Sequence, residues 1–293
     1  MNKNSFSIGN TTLIFRAEDE ITEHINYLLR NHRVCLTEKS EYFVDVIIYC
    51  GDFEKDTFDL KQITISEYLC NIASNFKENK PQRFYYLVLL KIILQVLSPL
   101  SYVSVHGTLV HSEELGSLLF IGNSGGGKST LATSWLDQGY SIMGDDMIFI
   151  DKNGDCFPLL RDLHIESSLA YKFSNLLNLP ACEVYMPGYT KLGYDWVKYH
   201  SDLVLMKTKL PNYIIESNIS NSGISYISVI NDISEKQAIL SNLNEHSKSN
   251  NLSDILIEAI MTKHFTKIYW SSDIWEYKKR HFGFIHDSFS SQH

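Results

Sequence analysis

The sequence predicts an α/β protein, with a small α+β module over residues 1–82 and a larger α/β domain over residues 83–293. Three observations carry this expectation. The chain has 293 residues, 44% apolar and 20% charged, which is globular composition with enough length to bury a large core. Short alternating and β-branched runs dominate before residue 82, with one stretch of helical spacing among them. After it, an apolar helix leads into strands, a glycine-rich loop, a helix and a further strand in close succession.

The elements follow in order. Ser5–Phe15 alternates as a strand does, with a Gly9-Asn10 turn signal inside it. Ile21–Leu29 has helical spacing, and Phe43–Tyr49 is a β-branched run, hence a strand. Asn79-Lys80-Pro81 breaks the pattern and closes the module. Phe84–Leu97 is the strongest apolar run, read as a buried helix closed by Ser98-Pro99. It contains Lys91 and Gln95 and falls short of the roughly 20 residues a transmembrane helix needs. Strands at Tyr102–Val110 and Ser117–Ile121 flank the polar turn Ser112-Glu113-Glu114. The glycine loop comes next, then a helix from Lys128 to about Gln138 and a strand at Ser141–Ile150. Beyond Asp151 lie a loop marked by Pro187 and Gly188, and a strand pair near Tyr213–Glu216 and Ile224–Ile230. Helices are expected at Ser234–Asn244 and Ser253–Phe265, and Ser234 with Gln237 fits a capping box.

Charge and cysteines remove several classes. Net charge is −8 with no basic stripe, so nucleic acid is not the expected partner. Cys35, Cys50, Cys70, Cys156 and Cys182 are odd in number, scattered and without C-x-x-C spacing. That argues against a disulfide framework or a zinc site and for a reducing compartment. The polar Met1–Ser5 stretch does not lead into a signal-peptide hydrophobic region. The reading is a soluble cytoplasmic chain with no membrane partner.

Gly122-Asn123-Ser124-Gly125-Gly126-Gly127-Lys128-Ser129, followed by Thr130, matches G-x-x-x-x-G-K-[ST] at every position. Glycines let backbone N–H groups converge on phosphate oxygens, because no Cβ blocks the turn. The helix that starts here adds its positive end. Lys128 suits the β- and γ-phosphates of ATP, and the Ser129 hydroxyl suits Mg²⁺. A chance match in a flexible turn is opposed by the buried-strand signal Leu118–Ile121 before it and the amphipathic Thr130–Leu136 after it. The expected core is therefore a P-loop mononucleotide-binding unit.

Gly144-Asp145-Asp146 lies on the strand after the loop helix. Two adjacent carboxylates allow two jobs, one on a metal and one accepting the proton of an attacking hydroxyl. Adjacent strand residues face opposite sides unless a bulge re-aims one. The plainer alternative is a solvated turn at a strand end. His106, on the strand before the loop strand, reads first as a hydrogen-bonded core histidine and second as a site residue.

His106-Gly107-Thr108-Leu109-Val110, Ile121–Ala132 and Gly139–Asp146 together resemble the HPr kinase/phosphorylase superfamily, within about residues 102–150. The similarity extends to HPr-kinase-related proteins of bacterial gene clusters, including kinases that modify lasso peptides. The resemblance implies a core of the HPr kinase/carboxykinase type that moves the γ-phosphoryl group of ATP to a hydroxyl, commonly a serine. On that reading Lys128 and Ser129 hold phosphates and Mg²⁺, and Asp145 and Asp146 share metal binding and general-base duty. His106 borders the active site, and which aspartate is the base stays open. HPr kinases are oligomeric, so a homo-oligomer is implied as well, although no residues that set such a contact are recognisable.

Arg161, after Pro158-Leu159-Leu160, sits where a basic residue could contact phosphate, though a surface arginine is the plainer reading. The Glu-x-Arg-Gly stretch of true HPr kinases is missing, which disfavours HPr itself as substrate and puts phosphorolysis in doubt. Met186–Trp196, rich in Gly, Tyr and Lys, reads as a lid or a plain surface loop.

The expected acceptor is thus a peptide or protein hydroxyl. The alternatives are a nucleotide-binding regulator with little turnover or a small-molecule kinase. A carboxykinase would be much longer and would show a Mn²⁺-binding Lys/His set, and a transporter ATPase would carry a Leu-Ser-Gly-Gly-Gln signature; neither is present.

Overall fold

The structure, a computed structural model, describes residues 1–32, 40–76, 81–100, 102–112, 116–123, 125–136, 141–173, 179–186, 189–199, 207–243 and 260–271. It is mixed α/β, as the sequence predicts, and divides into two compact units, Met1–Val103 and Ser104–His293.

In the first unit, Asn2–Ile8 (β1) and Thr11–Ala17 (β2) form an antiparallel hairpin around Gly9, whose φ of 59 is the left-handed conformation a tight turn requires. Helix α1 (Asp19–Leu28) buries Ile21, Thr22, Ile25 and Leu28. Strand β3 (Tyr42–Gly51) runs parallel to β2 and to β5 (Glu67–Ala73), and β4 (Phe58–Thr64) pairs antiparallel with β5. The alternating residues Phe6, Ile8, Leu13, Phe15, Val44, Val46, Ile48, Cys70 and Ile72 form the buried face.

The apolar run that follows is helical from α2 (Pro81–Phe84) through a π segment at Tyr85–Leu89 to α3 (Leu90–Leu97). It belongs to the first unit, so the boundary falls at Val103 and not at residue 82. Two contacts show why: the Phe84 ring packs on the His24 ring at 5.7 Å between centroids, and the Asn10 N–H donates to Tyr102 Oη at 3.0 Å.

In the second unit β6 (Val103–Ser112), β7 (Gly116–Ile121), α4 (Lys128–Leu136), β8 (Ser141–Gly144), β9 (Met147–Ile150) and β10 (Asp155–Pro158) follow in order. Then come β11 (Leu163–Glu166), α5 (Ser167–Ala170), β12 (Ala181–Met186), β13 (Tyr189–Tyr194), α6 (Trp196–Tyr199) and β14 (Thr208–Lys209). The described part closes with β15 (Tyr213–Ile219), β16 (Tyr226–Ile230), α7 (Ile233–Leu243) and β17 (His264–Trp270). The large sheet has the order β14-β10-β9-β6-β7-β15-β17-β16, with β8 paired to β6, and β11-β13-β12 form a second sheet. Near its centre β7 lies between antiparallel β6 and parallel β15, which is itself parallel to β17. Leu118, Leu119, Phe120 and Ile121 are all buried, which explains why β7 reads as a continuous apolar run. Val110, Phe120, Leu131, Leu163, Phe173, Trp196, Ile215 and Ile268 belong to the core around them.

Several expectations need correction. The strand Ser141–Ile150 is two strands, broken at Asp145 and Asp146. Residues 213–216 and 224–230 do not pair, because β17 lies between β15 and β16. Phe265, expected in a helix, is in β17, whose aromatic and β-branched residues satisfy a strand. Residues 253–259 of that expected helix lie outside the described residues, as do the turn residues Glu113 and Glu114, Gln138 and Asn244. Tyr189–Tyr194 is not loop but strand, paired with both β11 and β12, while Pro187 and Gly188 lie outside the described residues. Asp232, not Ser234, caps α7: its Oδ1 accepts from the Glu235 N–H at 2.9 Å. Among the described residues no helix is long and apolar enough to cross a membrane.

Candidate functional site

From the end of β7 the chain turns through Gly122–Gly127 and enters α4 at Lys128. Gly122, Gly125 and Gly127 take φ of 132, 82 and 84, conformations L side chains rarely adopt. Gly127 is doubly constrained, since a Cβ there would meet Trp270 Cζ2 at 1.8 Å. The Leu131 N–H donates to Gly127 O at 2.8 Å, so helical bonding begins at the loop's end. Ser124, placed in the loop by its sequence, lies outside the described residues, and Thr130 is half-buried in the first turn of α4.

Lys128 is buried and folds back over this loop, its Nζ donating to Gly122 O at 2.9 Å and Asn123 O at 3.1 Å. Burial pushes the ammonium below its ordinary value; Asp145 and Asp146 oppose the fall and Lys191, on β13, adds to it.

The aspartate pair separates into two environments. Asp145 Oδ1 accepts from Ser129 Oγ at 2.8 Å and from Thr108 Oγ1 at 2.6 Å. Asp146 has φ 87, the one positive value for a non-glycine among the described residues. Its carbonyl is held by the Gly107 N–H at 3.2 Å. This turn of the backbone breaks the strand and sends the second carboxylate elsewhere: Oδ2 pairs with Arg161 Nη1 at 2.5 Å, and Oδ1 lies 3.5 Å from His106 Nε2.

Arg161 is 5% exposed, so the surface reading of this residue is wrong. Its Nη2 meets His164 Nδ1 at 3.0 Å, and Trp196 Nε1 donates to its carbonyl at 3.1 Å. Burial drives His164 well below its ordinary pKa, with Arg161 and Lys191 adding to the effect. The imidazole is therefore neutral at pH 7, and its Nδ1 accepts from the guanidinium. His106 keeps 38% of its side chain exposed at the edge of this cluster.

Lys128, Ser129, Asp145, Asp146 and His106, all expected from the sequence, thus converge on the N-terminal end of α4. Sequence reading missed Thr108, His164, Trp196, Ser217 and Trp270. Thr108 had a signal, lying two residues from His106 and hence on the same strand face. His164, Trp196, Ser217 and Trp270 had none, because what each touches is set by how separate elements pack.

The oxygen donors suit Mg²⁺. Among the described residues no group of three or more His, Cys, Asp or Glu side chains could hold a metal alone. Ser129 and Asp145 supply a hydroxyl and a carboxylate, and Mg²⁺ takes such a partial set when phosphate oxygens and water complete its octahedron. No model of a known protein family matches this chain, and no curated protein matches it.

Proposed function

We propose that this chain is an ATP-dependent kinase of the HPr-kinase-like type, transferring the γ-phosphoryl group to a hydroxyl of a peptide or protein acceptor, serine foremost. The observation that carries this is the divided aspartate pair, one carboxylate bonded to the first-turn serine of the loop helix and the other turned away onto a buried arginine. A module that only binds nucleotide has no need of the second carboxylate in a strained backbone.

On this reading Gly122–Ser129 is a phosphate loop, and its convergent N–H groups and the start of α4 favour the polyphosphate. Ser129 and Asp145 would hold Mg²⁺, which supplies neutralisation of phosphate charge. Lys128 adds a compact cation beside the loop carbonyls. The acceptor oxygen attacks the γ-phosphorus, the bond to the ADP oxygen breaks, and Asp146 takes the hydroxyl proton. Arg161 holds Asp146 in position, and His106 borders the same carboxylate from the exposed side. Positioning and electrostatics carry most of the rate.

The test is transfer from γ-labelled ATP with Mg²⁺ to serine-containing peptides encoded beside the gene, and to small alcohols. Label on a peptide hydroxyl, lost in Lys128→Ala and Asp146→Asn, is the expected result. Label on an alcohol alone would make the chain a small-molecule kinase. Tight ATP binding with no transfer to either would replace the kinase by a nucleotide-binding regulator.

A further inference from the structure

From the two strands that follow β7 in the sheet, Ser217 on β15 and Trp270 on β17 reach back to the glycine loop. Both donate to one carbonyl: Ser217 Oγ to Gly126 O at 2.5 Å and Trp270 Nε1 to the same oxygen at 3.0 Å. The two donors also lie 3.3 Å from each other. Ser217 is 0% and Trp270 8% exposed, so both donors are fixed by packing, while the Gly126 carbonyl they hold is part-buried. The backbone sits hard on this floor. A Cβ on Gly126 would approach Ser217 O to 2.6 Å, as one on Gly127 would run into the indole.

The Gly126–Gly127 peptide is trans. In a planar trans peptide the C=O and the following N–H point in opposite directions. With the Gly126 carbonyl drawn toward β15 and β17, the Gly127 N–H must point away from them. That N–H has no acceptor among the described residues. A glycine–glycine peptide is otherwise easily flipped, since neither residue has a Cβ to resist. In the flipped state a carbonyl oxygen would face an incoming anion and repel it.

We infer that Ser217 and Trp270 are positioning residues that aim the Gly127 amide at a bound phosphate group. The inference rests on the reading of Gly122–Ser129 as a phosphate site. Neither side chain touches the substrate; each acts through the Gly126 carbonyl and turns a potential repeller into a charge-assisted donor.

The full chain is titrated calorimetrically with Mg·ATP, Mg·ADP and adenosine, as wild type, Ser217→Ala, Trp270→Phe and the double variant. Each single variant should weaken Mg·ATP and Mg·ADP by about tenfold, the double by more, and adenosine by none. In turnover the loss should fall on KM with kcat kept, because the amide grips phosphate before and during transfer. Should Trp270→Phe not fold, Ser217→Ala carries the test, as it deletes one buried hydroxyl. Unchanged Mg·ATP affinity in Ser217→Ala, or equal loss of ATP and adenosine, would overturn the positioning role and leave the phosphate site standing. A wild type that binds neither ATP nor ADP would overturn the phosphate reading and this inference with it.

Discussion

Asp146 keeps a φ of 87 while its carboxylate is held by Arg161 and its carbonyl by Gly107, a backbone state that costs on the order of 1–3 kcal/mol for a non-glycine residue. Asparagine tolerates positive φ better than most residues and removes only the charge. Asp146→Asn should therefore keep its backbone but lose stability through the uncompensated Arg161 charge. Below its unfolding midpoint it should bind Mg·ATP within a few-fold of wild type, yet lose label transfer by about 100-fold or more. Transfer at the wild-type rate would remove Asp146 from the base role.

Arg161→Lys tests the same carboxylate from the other side. The guanidinium fork spans Asp146 and His164, and an ammonium cannot reproduce that span. Removing one partner of a buried ion pair leaves a charge uncompensated, worth about 3–5 kcal/mol when no cation remains. Arg161→Lys should lose less than this in urea unfolding and Arg161→Gln should approach it. Equal stability of wild type and Arg161→Gln would mean the pair is not buried in solution.

At the scale of elements, the cap of α7 shows how close a local reading comes. A hydroxyl followed three residues later by Gln237 points to Ser234, but Asp232 holds the Glu235 N–H, and the Lys236 N–H reaches the Asp232 carbonyl at 3.1 Å. Both residue types cap helices well, so propensity cannot choose between positions two apart. Asp232→Ala should lower unfolding free energy by about 1 kcal/mol, and Ser234→Ala by a few tenths. The reverse order in urea titrations would return the cap to Ser234.

The strand after the loop helix illustrates the opposite case. Ser141–Ile150 reads as one β run, and only the turn at Asp146 divides it into β8 and β9. A strained backbone held by distant partners is invisible to period or propensity. The hairpin β12–β13 is hidden differently: Tyr189–Tyr194 shows no strong strand pattern of its own, and only its pairing with β12 and β11 makes it a strand.

Across the whole molecule, each unit buries a neutral histidine. In the first unit burial lowers His32 to about 4 from 6.5, with the Ser7 carbonyl at 3.0 Å opposing the shift. In the second, His164 is pushed well below its ordinary value. The folded pKa is the lower one, so this stability is intact above the unfolded pKa and is lost as pH falls. The unfolded chain takes up the proton first, and between pH 6.5 and 4 His32 alone removes on the order of 3 kcal/mol. The urea midpoint should therefore drop between pH 7 and 5, and His32→Gln should flatten the part of that drop belonging to the first unit. A wild-type midpoint level over this interval would show that the histidines are not buried neutral.

Local chemistry along the chain encodes the first layer of this protein. The Gly9-Asn10 turn, the helical spacing of α1, the apolar run of β7 and the glycine loop at the start of α4 each depend on neighbours a few residues away. The mixed α/β class follows from their succession. Tertiary structure alone decided the strand order, the burial of Arg161, the separation of Asp145 from Asp146, and the reach of Trp270 to Gly126 across 144 residues of chain. Those features depend on which strands become neighbours. Neighbour choice is settled by burying the whole core at once, and no short stretch of residues records it.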